Sequence, residues 1–362
     1  MSNRLLRSST APRRRATAAF ATLVASSLLL AGCAQGDTDA ANVEASDEGC
    51  DGEKLSLTQS TTGFLYLPSY IAENAGFYED EGLDVTIQDL GGGAENVAAV
   101  VSGDADVALT AYSSIVTARE AGASVVAFGS VMNQYASNVV ISQEAADAAG
   151  VTEDSTSEDK IRALEGLKLG ITSAGSGTDQ LFHYLFEEVG LNADTDAQLL
   201  PIGSGSSMIA AFRTGQIDGF SLSSPTSDQA AEAGGVMLLD LSSGGYEPLN
   251  PFLYIVAVAN SRTVEEKSPI LTCFSKAIGS ALTLINEDPE AAKEAGRAAF
   301  ADIDEALYDS AFERNVAAYP DSPVIDEEQA TKVIEFVSGF EGELEEATVE
   351  TTVNTNFAEA AE

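Results

Sequence analysis

The chain contains one histidine, His183, and three cysteines, Cys33, Cys50 and Cys273, in 362 residues. With no Cys-x-x-Cys pair and a single imidazole, it lacks any zinc ligand set of ordinary spacing, so no metal is expected. A serine nucleophile would need a histidine partner. His183 falls inside a predicted helix, Gln180 to Glu188, beside Phe182 and Tyr184, where a structural role is the expected one. AGSGTD at 174 to 179 is followed by no lysine, and GxxxxGK[ST] is absent, so a phosphate-binding loop is excluded. Basic residues are also scarce. Eighteen Lys and Arg stand against 57 Asp and Glu, a formal net charge of −39, which repels nucleic acid and anionic lipid. EGELEE at 341 to 346 lacks the spacing of a calcium loop and reads as a solvated segment. The expectation is a protein without catalytic residues, cofactor or nucleic-acid partner.

The basic residues present are unevenly placed. Arg4, Arg7, Arg13, Arg14 and Arg15 precede an apolar run from Ala16 to Leu30 that is too short to cross a bilayer comfortably, and no acid occurs through residue 32. Residues 1–32 therefore read as an export signal. It closes on Leu30-Ala31-Gly32-Cys33, which resembles the bacterial lipoprotein signal; the resemblance implies a diacylglycerol on Cys33 and membrane attachment through lipid alone. Arg13 to Arg15 leave the general and twin-arginine export routes both open. Residues 33–53 are small, polar and acidic without apolar periodicity, as in a disordered tether, so the fold is expected to begin near Lys54. Outside the membrane, Cys50 and Cys273 form an even pair that permits a disulfide.

From there the sequence is written twice. Gly91, Gly93, Ala98, Ala99, Gly103 and Asp106 recur 112 positions later as Gly203, Gly205, Ala210, Ala211, Gly215 and Asp218. Lys54, Leu55, Thr58, Gly63, Tyr70, Glu73 and Gly76 recur 114 positions later as Lys168, Leu169, Thr172, Gly177, Tyr184, Glu187 and Gly190. Each copy reads as strand, small-residue loop, helix, strand, glycine-rich loop, helix, Gly-x-x-Asp and strand. Two α/β lobes follow, each with a largely parallel sheet. The apolar segments SNVVIS (137–142) and FLYIVAV (252–258) bracket the second copy like paired crossover strands. They divide the chain into lobe 1 (54–137 and 259–362) and lobe 2 (138–258). Helices near 264–286, 288–299, 304–317 and 326–339 are expected to pack on lobe 1.

Ligands of open parallel sheets lie at the carboxyl ends of the strands, where helix N-termini present free N–H groups. The loops at those ends are rich in glycine and hydroxyls, which let a ligand approach the backbone. In lobe 1 the candidates are Thr62, Gly63, Phe64, Tyr66, Gly92, Thr110, Tyr112 and Ser113. In lobe 2 they are Ser173, Ser176, Gly177, Thr178, Ser204, Ser206, Ser221 and Ser224. Arg119 and Arg213 fall late in their helices, so no arginine clamp for an anion is apparent.

FLYLPSYIAENAGFYEDEGLDV (64–85), GGGAENVAAVVSGDADVALT (91–110), LKLGITSAGSGTDQLFHYLFEEVGL (167–191) and AAFRTGQIDG (210–219) together resemble the solute-binding proteins of ABC importers for nitrate, sulfonates, taurine and thiamine-precursor pyrimidines. The resemblance implies a type II periplasmic-binding-protein fold, two βαβ lobes joined by two crossover strands. It also implies a monomeric, lipid-anchored receptor on the extracytoplasmic face that closes on a small molecule and delivers it to a permease. A pyrimidine synthase of the same fold needs an active-site histidine and clustered cysteines, which this chain lacks; a surface lipoprotein that binds another protein is the remaining alternative.

Overall fold

The computed structural model describes residues 40–46, 49–203 and 205–361. The export signal, Cys33 and Ser204 lie outside the described residues. Ten strands are present among the described residues: β1 (Glu53–Gln59), β2 (Leu83–Asp89), β3 (Val107–Ala111), β4 (Val125–Met132), β5 (Ser137–Ser142), β6 (Lys168–Ile171), β7 (Gln198–Pro201), β8 (Gly219–Ser223), β9 (Gly235–Leu239) and β10 (Ile255–Asn260). They form two sheets, β2-β1-β3-β10-β4 and β7-β6-β8-β5-β9. The two orders are the same design. Three parallel strands are followed by one antiparallel strand and an edge strand, and in each sheet the antiparallel member arrives from the other lobe.

The lobes are joined by two crossing segments, one just ahead of β5 and one that ends on residues 252–254, the first part of FLYIVAV. β5 and β10, which takes in the 255–258 part of FLYIVAV, are not themselves the connection; each is buried inside a sheet, which is why both read as continuous apolar runs. The crossings lie just before them. There, Phe252 N–H donates to Asn133 O at 3.0 Å and Tyr254 N–H to Met132 O at 2.9 Å, and the rings of Tyr135 and Tyr254 stack with centroids 4.0 Å apart.

The repeated Gly-x-x-Asp does the same work twice. Gly103 and Gly215 take left-handed φ values of 82° and 70°, ending their helices without a Cβ clash. Three residues on, Asp106 Oδ2 accepts from Ser56 N–H at 2.9 Å, and Asp218 Oδ2 accepts from Lys168 N–H at 2.8 Å. Each carboxylate pins a strand of its lobe, Asp106 at the middle of β1 and Asp218 at the start of β6.

The C-terminal helices match expectation closely: Ser268–Glu287, Pro289–Gly296, Glu305–Asn315 and Glu327–Glu341. The first packs Phe274 against Tyr78 and Phe128 of lobe 1, with centroids 5.8 and 5.9 Å apart. The last also reaches lobe 2, where Phe336 lies 4.8 Å from Tyr184. Residues 341–346 run over the surface as expected, though Glu120 anchors the segment by accepting three backbone N–H groups, from Glu345, Glu346 and the buried Ala347.

The tether expected over 33–53 is corrected at its end. Ala40 is buried, and Asn354 Nδ2 donates to Ala40 O at 2.8 Å and Val43 O at 3.0 Å. Cys50 and Cys273 are bridged, their Cα atoms 6.4 Å apart. Backbone carbonyls satisfied by side chains about 300 residues away leave no composition signal, which is why the segment reads as free.

Candidate functional site

The carboxyl ends of β1, β2 and β3 face those of β6, β7 and β8, and the lobes touch. Phe64 N–H donates to Ser224 O at 2.9 Å across the cleft. This needs a residue without a side chain at 63: a Cβ on Gly63 would stand 3.0 Å from Ser223 Oγ. Ser114 Oγ donates to Gly175 O at 3.2 Å, Gly205 N–H donates to Thr61 Oγ1 at 3.4 Å, Ser113 bonds Gln180, and Tyr135 OH donates to Gly177 O. This is a closed arrangement of the lobes.

Within it, two hydroxyls stand apart. Thr110 Oγ1, at the end of β3, and Ser173 Oγ, beyond β6, belong to residues only 2% and 8% exposed, and neither has a hydrogen-bond partner among the described residues. Both lie against the first turn of helix Gly93–Ser102. A Cβ on Gly92 would come within 2.6 Å of Ser173 Oγ, and one on Gly93 within 3.5 Å of Thr110 Oγ1. That turn carries no side-chain cap, because Gly92 occupies the N-cap position. Its N–H groups and partial positive charge therefore face the same point as the two hydroxyls. The exposed Glu95 carboxylate also lies beside Gly92. Buried hydroxyls left without partners cost stability, so the point is suited to a ligand bearing several acceptor oxygens.

Apart from Glu95, the groups that hold this turn in place are uncharged. Asn96, fully buried, holds the 59–60 turn: with its amide turned to satisfy both ends, it donates to Gln59 O at 3.1 Å and accepts from Ser60 N–H at 2.8 Å. Ser60 Oγ meets Tyr66 OH at 2.5 Å. Burial pushes the Tyr66 phenol up to about 12, so it remains a neutral hydroxyl in the physiological range.

The other sequence candidates divide between the cleft and the cores. Gly63, Gly92, Ser113, Gly177 and Ser224 lie at the contact between lobes; Ser224 Oγ accepts from the buried Asn315 Nδ2 at 3.1 Å. Ser176 caps helix Gly177–Glu188, and Thr178 Oγ1 accepts from Thr172 N–H at 2.9 Å, so both shape the loop around Ser173. Ser221 Oγ bonds Ser137 O at 3.4 Å inside the second sheet, and Ser206 lies in the first turn of helix Gly205–Arg213. Two aromatic candidates turn inward. Phe64 packs on Phe300 and Tyr308 at 5.0 and 5.5 Å, and Tyr112 OH meets Thr352 Oγ1 at 2.6 Å, both in the lobe 1 core. Thr62 is exposed and donates to Asp89 Oδ2 at 2.8 Å. Thr61 lies in the glycine- and hydroxyl-rich loop after β1 that holds Thr62 and Gly63. Gln180, Asn315 and Arg314 were missed, and nothing near in sequence signals them.

His183 sits on the outer part of its helix, 3.6 Å from Asp179 and stacked 6.0 Å from Phe340. It has no place in the cleft.

The family model described as NMT1/THI5 like matches residues 64–292. The chain belongs to this family. Among curated proteins, a binding protein of Bacillus subtilis (strain 168), YtlA, is 31% identical over 70 residues, so the match spans 19% of this chain and about one fifth, 21%, of that protein. A solved structure from Bordetella bronchiseptica RB50 superposes with a TM-score of 0.74 at 24% identity, covering 85% of this chain and 96% of that one. The alkanesulfonate-binding protein SsuA of Xanthomonas axonopodis pv. citri, bound to MOPS, gives 0.65 at 15% identity over 84% and 99% of the two chains. A desulfurization enzyme, DSZB, gives 0.59 at 14% identity over 84% and 98%. The fold is that of the periplasmic binding proteins; at these identities the likeness extends no further than the fold.

Proposed function

We propose that this protein is an extracytoplasmic solute-binding receptor of an ABC importer, anchored by a lipid on Cys33 and acting as a monomer that hands its ligand to a permease. The observation that supports it is the pairing of Thr110 and Ser173, unpartnered hydroxyls from opposite lobes, on the uncapped first turn of helix Gly93–Ser102. A small molecule with several acceptor atoms on one head, the oxygens of a sulfonate or nitrate or the ring nitrogens of a substituted pyrimidine, would accept from both hydroxyls and from the helix N–H groups. It would make those contacts together only when the lobes are closed, so binding would shift the protein toward closure.

The test is a thermal-shift screen with sulfonates, nitrate, pyrimidines and aromatic acids. A ligand at about one hundred times its dissociation constant should add roughly 2.7 kcal/mol of stability, and Thr110→Ala with Ser173→Ala should remove most of that gain while leaving the unliganded melting temperature nearly unchanged. A ligand whose affinity is untouched by the double substitution would place the site elsewhere.

A further inference from the structure

A cavity lies outside the cleft, between helix Gly177–Glu188 of the second lobe and helix Glu327–Glu341 of the first. Its volume is about 340 Å³, enough for a small organic ligand. The floor is aromatic. Phe252, on the crossing segment, meets the Phe336 ring edge-on at 5.2 Å, and Tyr184 lies 4.8 Å from Phe336. The rim is acidic, with Glu187, Glu188 and Glu335 all exposed. One cation faces them, Lys332, and its ammonium donates to Pro251 O at 2.8 Å.

Aromatic faces carry negative quadrupole potential, and three carboxylates add to it, so the cavity selects for positive charge on a body that can sit against rings. Burial, with Tyr246 and Glu188 nearby, raises the Tyr184 phenol well above its ordinary value, so its hydroxyl stays neutral. An anion is repelled here, and a strongly hydrated ammonium would lose more solvation than the rings return. A weakly hydrated onium group fits both floor and rim.

We propose that this cavity is a ligand site for small aromatic quaternary ammonium compounds. Each lobe supplies one wall and the crossing segment supplies the floor, so an occupant touches every part that must move when the cleft opens. Its binding favours the arrangement described here and, by linkage, tightens the cleft for its own ligand.

The probe is benzyltrimethylammonium, titrated into the full chain by calorimetry and by NMR of Tyr and Phe ring signals, with benzoate and benzyl alcohol as anionic and neutral controls. Saturable binding of the cation, at least about tenfold tighter than either control, is expected. Glu187→Gln, Glu188→Gln and Glu335→Gln combined should weaken it about tenfold or more, and raised salt should weaken it in the parent but far less in the triple variant. These three side chains are exposed, so the variant should fold; Tyr184→Leu, checked by melting, tests the ring separately and should also weaken binding. The proposal fails if benzoate or benzyl alcohol binds as tightly as the cation, if the triple variant binds unchanged, or if nothing saturates below about 10 mM.

Discussion

Arg314 of the first lobe and Asp228 of the second form an ion pair across the cleft, Nη1 to Oδ1, at 2.9 Å, with Asp228 only 5% exposed. The neighbouring Asn315 bonds Ser224, whose carbonyl receives Phe64 N–H. These contacts exist only with the lobes together. Arg314→Gln should therefore open the protein, raising the radius of gyration in solution scattering and weakening ligand binding about tenfold, a loss of roughly 1.4 kcal/mol. Unchanged compactness and affinity would show that the pair does not hold the lobes closed.

Asp106 and Asp218 occupy matching places in the two lobes but differ in their partners. Both accept a backbone N–H from a strand, β1 for Asp106 and β6 for Asp218, but Asp106 also receives Lys267 Nζ at 2.6 Å. Asp218→Ala should cost about 1–3 kcal/mol in denaturant unfolding, and Asp106→Ala more, because it strands a second partner. Burial works to raise the Asp106 carboxyl, yet the Lys267 and Ser56 hydrogen bonds outweigh it and hold the group below its ordinary value. Its contribution is present above the ordinary carboxylate range and lost as pH falls through the lowered value. Equal losses for the two substitutions would mean that Lys267 adds nothing.

The Cys50–Cys273 bridge joins positions 223 residues apart. Replacing both by Ala should lower stability by about 2–5 kcal/mol. It should also expose the 40–46 segment to protease first, since the bridge is gone and hydrogen bonds such as those from Asn354, Asn356 and Ser268 would then hold it. Simultaneous loss of the whole domain to protease would contradict that order.

The Asp179 carboxylate, 3.6 Å from His183 Nε2, favours the imidazolium and raises the His183 pKa above its ordinary value, against a smaller opposing effect of burial. A raised value means the folded state favours the imidazolium. The added stability is complete below the ordinary pKa and disappears as pH rises through the raised one. Asp179 also accepts from Gly175 N–H at 2.7 Å, so the effect reaches the loop beside Ser173. His183→Gln should flatten the fall of stability with pH above the ordinary imidazole range, an effect of no more than about 1 kcal/mol, and leave ligand affinity within a few fold.

Much of this was legible in the chain. The Gly-x-x-Asp repeat carries its own physical reason, a left-handed helix end followed by a carboxylate within reach of the first strand, and so the residues alone report two lobes of one design. The loops at the strand ends were legible for the same reason: glycine and hydroxyl residues recur where backbone must be approached. Thr110 and Ser173 were among them, but so were Phe64 and Tyr112, which the core took.

What separated these was tertiary. A hydroxyl after a strand either caps a helix, pairs within a sheet or faces the cleft, and local sequence permits all three; Ser176, Ser221 and Ser173 are the three outcomes. The interlobe partners Asn315 and Arg314 lie in a helix after both copies of the repeat, so no periodicity ties them to Ser224 or Asp228. The 40–46 segment likewise looks free because its partner, Asn354, is at the other end of the chain. Local pattern determined which elements form and how often the design repeats; which polar groups find each other across the cleft was decided by the packing of segments that sequence order keeps far apart.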